Sequence, residues 1–144
     1  MPRVLIVEDD PWFAQIMIWA FSLPPAWEVV HVDSGFAALD YLRRRGRFVD
    51  VPLPDLIITC LRLPGPSGLE ILMEVKKDPR FRVIPVVIWS VCEDQEKCVN
   101  QAYKLGAAVY LMKPVGVREG RRQALALRRL FDVARLPRAS DRNP

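Results

Sequence analysis

A chain of 144 residues with 51% apolar residues, 26% charged residues and a formal charge of +4 has the size of one domain built around one core. No apolar run nears the ~20 residues that span a bilayer, and the four apolar residues between Arg3 and Glu8 are too few for a secretory signal. A cytoplasmic protein with no membrane partner is expected. The three cysteines, irregularly spaced, form neither a disulfide framework nor a zinc signature, which suits a reducing compartment.

Val4–Val7 is an unbroken apolar run, suited to a strand covered on both faces. Asp10 followed by Pro11 starts a helix, because proline at the first helical position forgoes an N–H that has no partner anyway; Pro24-Pro25 ends it. Glu28–Val32 is a second strand. Ser34 caps a helix that runs to about Arg45, stopped by Gly46. Leu56–Thr59 is the third strand. Gly68 to Lys77 carries Leu69, Leu72, Met73 and Lys76 at helical spacing, and Asp78-Pro79 breaks it. Ile84–Trp89 is the fourth strand, residues 94–105 a helix closed by Gly106, and Val109–Met112 the fifth strand. A last helix spans about Val117 to Ala134. One domain over residues 1–136 is expected, with 137–144 a frayed tail.

Short β-branched runs alternating with longer helical patterns imply an α/β fold: a doubly wound, five-stranded parallel sheet of order 2-1-3-4-5 with five helices, flavodoxin-like. In such sheets the site lies beyond the carboxyl ends of the strands, where the strand order switches. That rule gathers Glu8-Asp9-Asp10, Cys60-Leu61-Arg62, Ser90-Val91-Cys92 and Lys113-Pro114. Singly, each has a plain structural reading, such as an acidic helix cap. Together, in order at four strand ends, they point to a site.

With those motifs in place, the chain from Arg3 to about Leu136 resembles the response-regulator receiver domains of two-component signalling. The resemblance implies that Glu8 and Asp9 are the acidic pair for a divalent cation and that Ser90 is the hydroxyl on the phosphoryl group. It makes Lys113 that group's cationic partner, Tyr110 the aromatic switch, and the bond before Pro114 cis. Leu42-Arg43-Arg44-Arg45-Gly46 and Val75-Lys76-Lys77-Asp78-Pro79 resemble stand-alone receivers associated with bacterial phytochromes. The implied role is non-enzymatic: a single-domain receiver in a phosphorelay, with a sensor histidine kinase or phosphotransfer protein as partner and a homodimer as assembly.

One position departs from the family pattern. The third strand ends in Cys60 where the family has a phosphorylatable aspartate. An aspartate attacks phosphorus with one oxygen and binds magnesium with the other; a thiol has one heavy atom, and sulfur is a soft ligand for a hard cation. An atypical receiver acting through protein contact is expected, with weakened Mg2+ binding. Two rivals stay open. One is an engineered, phosphorylation-dead form of an active regulator. The other is a redox-responsive module joining Cys60 to Cys92, in which Lys113 depresses the thiol pKa while Glu8 and Asp9 raise it. Otherwise Cys60 is an inert small hydrophobe, and Cys98 points elsewhere. Arg62, flanking the pocket like Cys92, is expected to pair with Glu8 or Asp9 in place of a metal.

Two surfaces remain. Residues 11–26 hold no charge, and Trp12, Phe13, Ile16, Met17, Ile18, Trp19 and Phe21 surround the helix. Such a helix either docks a partner or lies under a thick core covered by the last helix. From Arg118 onward eight arginines face Glu119, Asp132 and Asp141. They are expected to form a solvated helix face, with no nucleic-acid partner, since no DNA-reading motif accompanies them.

Overall fold

The computed structural model describes residues 1–137; the expected frayed tail lies almost wholly outside them. Five parallel strands, β1 (Arg3–Val7), β2 (Glu28–Val32), β3 (Leu56–Thr59), β4 (Val86–Ser90) and β5 (Val109–Met112), form one sheet of order β2-β1-β3-β4-β5. Between and after them run α1 (Pro11–Ser22), α2 (Gly35–Leu42), α3 (Gly68–Lys77), α4 (Gln95–Lys104) and α5 (Val117–Val133). This is the flavodoxin-like arrangement expected from the sequence.

Strand alternation divides the core in two. Leu5, Val7, Ile57, Val86 and Ile88 face one side, packed under α2, α3 and α4 by Ala38, Leu42, Ile71, Leu72, Val75 and Ala102. Val4, Ile6, Leu56, Ile58, Val87 and Trp89 face the other, under α1 and α5 by Met17, Phe21, Ala124, Leu127 and Phe131. Both faces are therefore dry, which is why the central strands read as continuous apolar runs.

Several boundaries follow local chemistry. Asp10 caps α1 by accepting the Trp12 N–H, with Pro11 at the first position. Ser67 and Glu70 form a reciprocal capping box on α3. The fourth strand starts two residues later than expected, at Val86, because Pro85 has no N–H to donate and Ile84 turns back to bond Phe81 O. The second helix ends at Leu42 rather than Arg45. Arg44 there takes a left-handed backbone (φ 55°), its N–H and that of Arg45 closing on Tyr41 O and Asp40 O, and a single 3₁₀ turn follows at Gly46–Phe48.

The first helix divides between the two readings: one face is covered by the last helix, while Trp12 and Trp19 stay part-exposed. Ala14, Ile16, Met17, Ala20 and Phe21 are buried, with α5 laid alongside them. Trp12 and Trp19 keep 42% and 36% of their surface exposed, and Arg121 of α5 lies over the Trp19 ring at 5.2 Å. The expectation of a solvated arginine face fails at Arg128, which is 4% exposed. Its guanidinium donates to Ala20 O, Leu23 O and Pro25 O and pairs with Asp132, which also accepts the Trp27 indole N–H. Helix α1 ends without a glycine cap, and Arg128 takes up its orphaned carbonyls from the neighbouring helix.

Candidate functional site

Each of the four segments singled out in the sequence reaches the same end of the sheet. Register explains it: Val7 is paired with Thr59, and Thr59 with Ile88, so the chain leaves β1, β3 and β4 at one level. Glu8, Cys60 and Ser90 are all buried, and Asp9 is exposed. Gly68, at the start of α3, packs so closely under this strand end that a Cβ there would lie 2.0 Å from Cys60 O. A side chain at position 68 would push the third loop away from the site.

The charges are internally satisfied. Lys113 Nζ sits 2.7 Å from Glu8 Oε1, with 9% and 3% of the two side chains exposed. The same ammonium lies 4.4 Å from the Phe13 ring centre and 6.0 Å from that of Trp89, and the two rings meet edge to face. Trp89 is in turn fixed by Gln123, whose amide oxygen accepts the indole N–H at 2.7 Å while its nitrogen donates to Met112 O. Burial pushes the Glu8 carboxyl above its usual range, and the Lys113 hydrogen bond and charge pull it only part of the way back.

Cys60 is 3% exposed. Its Sγ lies 3.4 Å from Arg62 O and 3.7 Å from Asp9 Oδ1, as a weak donor to both. Burial, then the neighbouring Glu8 charge, push its thiol up to about 12, against the smaller opposing pull of Lys113. The reactive-thiol alternative loses its support: Lys113 is committed to Glu8, and the site favours a neutral sulfur, in keeping with the inert reading. At pH 8 the thiolate population is then about a thousandfold below that of a thiol with the ordinary value. We expect Cys60 in the native protein to react with iodoacetamide correspondingly slower than the same residue in urea. A rate ratio near one, measured by peptide mass, would contradict this environment.

Other expectations are also corrected. The disulfide joins Cys92 to Cys98, with Cα atoms 6.5 Å apart, and Cys60 is free. The first turn of α4, begun by the Cys98 N–H bonding Asp94 O, carries Cys98 back to Cys92, while the Cys60 sulfur is turned toward Asp9. Arg62 is exposed and makes no ion pair among the described residues; Glu8 has Lys113 instead, held under two aromatic rings. The cis peptide found among the described residues is Pro24-Pro25, not the bond before Pro114, and Lys113 reaches Glu8 without it.

Ser90 stands where expected, its Oγ accepting the Leu61 N–H at 3.1 Å and donating to Val91 O at 3.3 Å. The Tyr110 ring is half-buried against the α2–α3–α4 side of the core, its hydroxyl is buried with no hydrogen-bond partner among the described residues, and its N–H donates to Tyr103 Oη. Sequence patterning placed Phe13 on the apolar first helix but did not assign it to the site, and it did not find Gln123 or His31, the chain's one histidine, whose Nε2 lies 2.9 Å from Glu8 O. None sits in a motif; each arrives from another element.

A cleft of about 360 Å³ opens above Cys60, bounded by Asp9, Arg62, Ser90, Cys92 and Lys113. A hollow of about 240 Å³ at the other end of the sheet holds two carboxylates that already have partners: Asp132 accepts from Trp27 and Arg128, and Asp55 accepts the Arg3 N–H. Glu8, Asp9 and Cys60 bring one ligand atom each within 4.8 Å of one another. As a magnesium site the set does not fit well. Two carboxylates are the right donors, but one is ion-paired and the third position offers a protonated soft sulfur. Among the described residues no helix is long and apolar enough to cross a membrane.

Residues 4–124 match the family described as the response regulator receiver domain. Response regulator Rcp1 of Synechocystis sp. is 30% identical over 113 residues, covering 76% of this chain and 75% of that protein. The phosphorylated cyanobacterial phytochrome response regulator RcpA superposes with a TM-score of 0.88 at 29% identity, over 94% of this chain and 98% of that one. The Mn2+-bound form of Rcp1 superposes with a TM-score of 0.89 at 25% identity, over 95% and 99%.

Proposed function

Because the chain belongs to the response-regulator receiver domain family, we propose that it is an atypical single-domain receiver that signals by protein contact, without phosphoryl transfer to position 60. Its similarity to Rcp1 and RcpA supports a phytochrome-type histidine kinase, or a phosphotransfer protein beside it, as the partner in the cytoplasm. The observation that carries this reading is Cys60 itself: a buried, neutral thiol at the acceptor position, between Asp9 and Arg62 O. Around it Lys113 is already paired with Glu8, and the Ser90 hydroxyl is already bonded to the backbone. The pocket's charged and hydroxyl groups already have partners within the chain, so in this reading binding does not wait for phosphate.

In this reading Glu8 and Asp9 keep a residual affinity for magnesium, Tyr110 keeps the switch position without a phosphoryl signal, and no reaction is catalysed. The part-exposed Trp12 and Trp19 of α1 support a kinase-facing surface. Exposed Tyr103, Met112 and Val117 on the α4–β5–α5 side support a homodimer.

The test is calorimetric binding of the helical phosphotransfer domain of a phytochrome-type kinase. We expect the same Kd, within about twofold, with and without magnesium and acetyl phosphate, and a loss of about tenfold or more in Trp19→Glu. A tenfold response to phosphate in the wild type would refute contact-only signalling. In the same samples, magnesium followed by tryptophan fluorescence should bind Cys60→Asp about tenfold or more tighter than wild type.

A further inference from the structure

We infer that Cys92 and Cys98 form a reversible thiol–disulfide modification site, taking electrons from and returning them to a disulfide or dithiol exchange partner, and tethering the start of α4 to the rim of the cleft. Three observations carry this beyond the contact function proposed above. The Cα atoms, 6.5 Å apart, lie within the range a disulfide spans. Both residues are only half-buried, so an exchange partner can reach the sulfurs, whereas Cys60 is closed off. Neither belongs to the core clusters, and the bond spans a sequence separation of only 6. Closing so short a loop constrains the unfolded chain less than a long loop would.

What the bond holds is functionally placed. Cys92 and Glu93 line the cleft with Arg62 and Lys113, directly after Ser90. Cys98 lies one turn into α4, behind the Asp94 cap. Oxidised, the pair ties the cleft's wall at Val91, Cys92 and Glu93 to the first turn of α4; reduced, that turn is held by the Asp94 cap and its hydrogen bonds alone.

The exchange balances without further reactants. One cysteine thiolate attacks a sulfur of the partner disulfide, giving a mixed disulfide and releasing one partner thiolate. The second cysteine thiolate attacks the protein-side sulfur of that mixed disulfide, closing Cys92–Cys98 and releasing the other partner thiolate. The pair loses two electrons, the partner disulfide gains them, and the two protons of the cysteine thiols pass to the partner.

The experiment uses the full chain, its Cys60→Ser variant, which leaves this pair as the remaining thiols, and Cys98→Ser. Each is equilibrated in glutathione redox buffers, or with a thioredoxin-type dithiol protein, then trapped with N-ethylmaleimide and weighed. In Cys60→Ser we expect both thiols labelled under reducing buffer and neither under oxidising buffer, with the oxidised form lighter by two hydrogen atoms before labelling. Amide exchange in residues 92–98 should slow by about tenfold on oxidation, with β1 and β3 unchanged. Cys98→Ser should instead carry glutathione on Cys92 and show no such protection. Faster exchange with the dithiol protein than with glutathione identifies a protein partner; the reverse identifies the small thiol. A pair that stays labelled under the most oxidising buffer, one that native-state dithiol never opens, or equal amide exchange in the two forms overturns the proposal.

Discussion

Incubated with acetyl phosphate and magnesium, the wild-type protein is expected to keep its unmodified mass, while Cys60→Asp gains one phosphoryl group. The sulfur lies one bond nearer the backbone than a carboxylate oxygen and offers a single heavy atom. It cannot attack phosphorus and help hold a cation together. It is also protonated, with its pKa pushed up to about 12 by burial and by Glu8, so the nucleophilic form is scarce at neutral pH. The rest of the site is intact in position: Glu8, Asp9, Ser90 and Lys113 all stand at the same end of the sheet. An aspartate at position 60 adds a third carboxylate beside Glu8 and Asp9, which gives magnesium a third hard ligand.

We expect labelling of Cys60→Asp at least about a hundredfold faster than any background in the wild type. Intact mass spectrometry reads both. An adduct on the wild type that vanishes in Cys60→Ala would refute the contact-only reading. If Cys60→Asp also stays unmodified, Arg62 is the next group to remove, since its exposed side chain borders the same cleft. Rescue at position 60 shows that this residue alone silences the pocket, as the atypical and the engineered readings both require.

The largest expected loss of stability lies far from that pocket. Arg128→Met should cost about 3–5 kcal/mol, because it removes every donor from a buried guanidinium while leaving its partners in place. Ala20 O, Leu23 O and Pro25 O lose their hydrogen bonds at the end of α1, and Asp132 keeps only the Trp27 indole. Methionine retains the length and the apolar stem, so lost packing does not dominate. Urea unfolding should show a lower midpoint at unchanged slope, and melting should fall on the order of 10 °C. Arg122→Met, at an exposed position of the same helix, should change stability by no more than about 0.5 kcal/mol. Equal effects at the two positions would remove Arg128 from its assigned role.

The same cluster has a pH signature. Burial pushes the Asp132 carboxyl up, but the Trp27 and Arg128 hydrogen bonds and the Arg128 charge outweigh it and hold the carboxyl below its ordinary value. A lowered carboxylate contributes stability above its unfolded-state range and loses it as pH falls through the folded-state value. Arg128→Met should therefore flatten the acid limb of the stability curve.

How much of this was legible in the chain depends on whether the information was local. Strands such as Val4–Val7 and Leu56–Thr59 announce themselves because both sheet faces are covered, and helix starts at Pro11 and Ser34 because caps act within one turn. The four strand-end motifs were legible for the same reason: the fold rule turns sequence position directly into spatial position, so Glu8, Cys60, Ser90 and Lys113 meet as expected. The absence of a carboxylate at position 60 is likewise a property of the sequence by itself.

Partner choice was decided only by the tertiary structure. Lys113 had Glu8, Asp9 and Cys60 within plausible reach, and the Phe13 and Trp89 rings settle it onto Glu8. Cys92 had two possible mates, and one helical turn selects Cys98. Arg128 looked like its solvated neighbours until α5 crossed the end of α1 and buried it against unsatisfied carbonyls. In each case the competing options differ by a few ångströms between segments far apart in the chain. Spacing along the sequence carries no record of such distances; the packing of one element on another creates them.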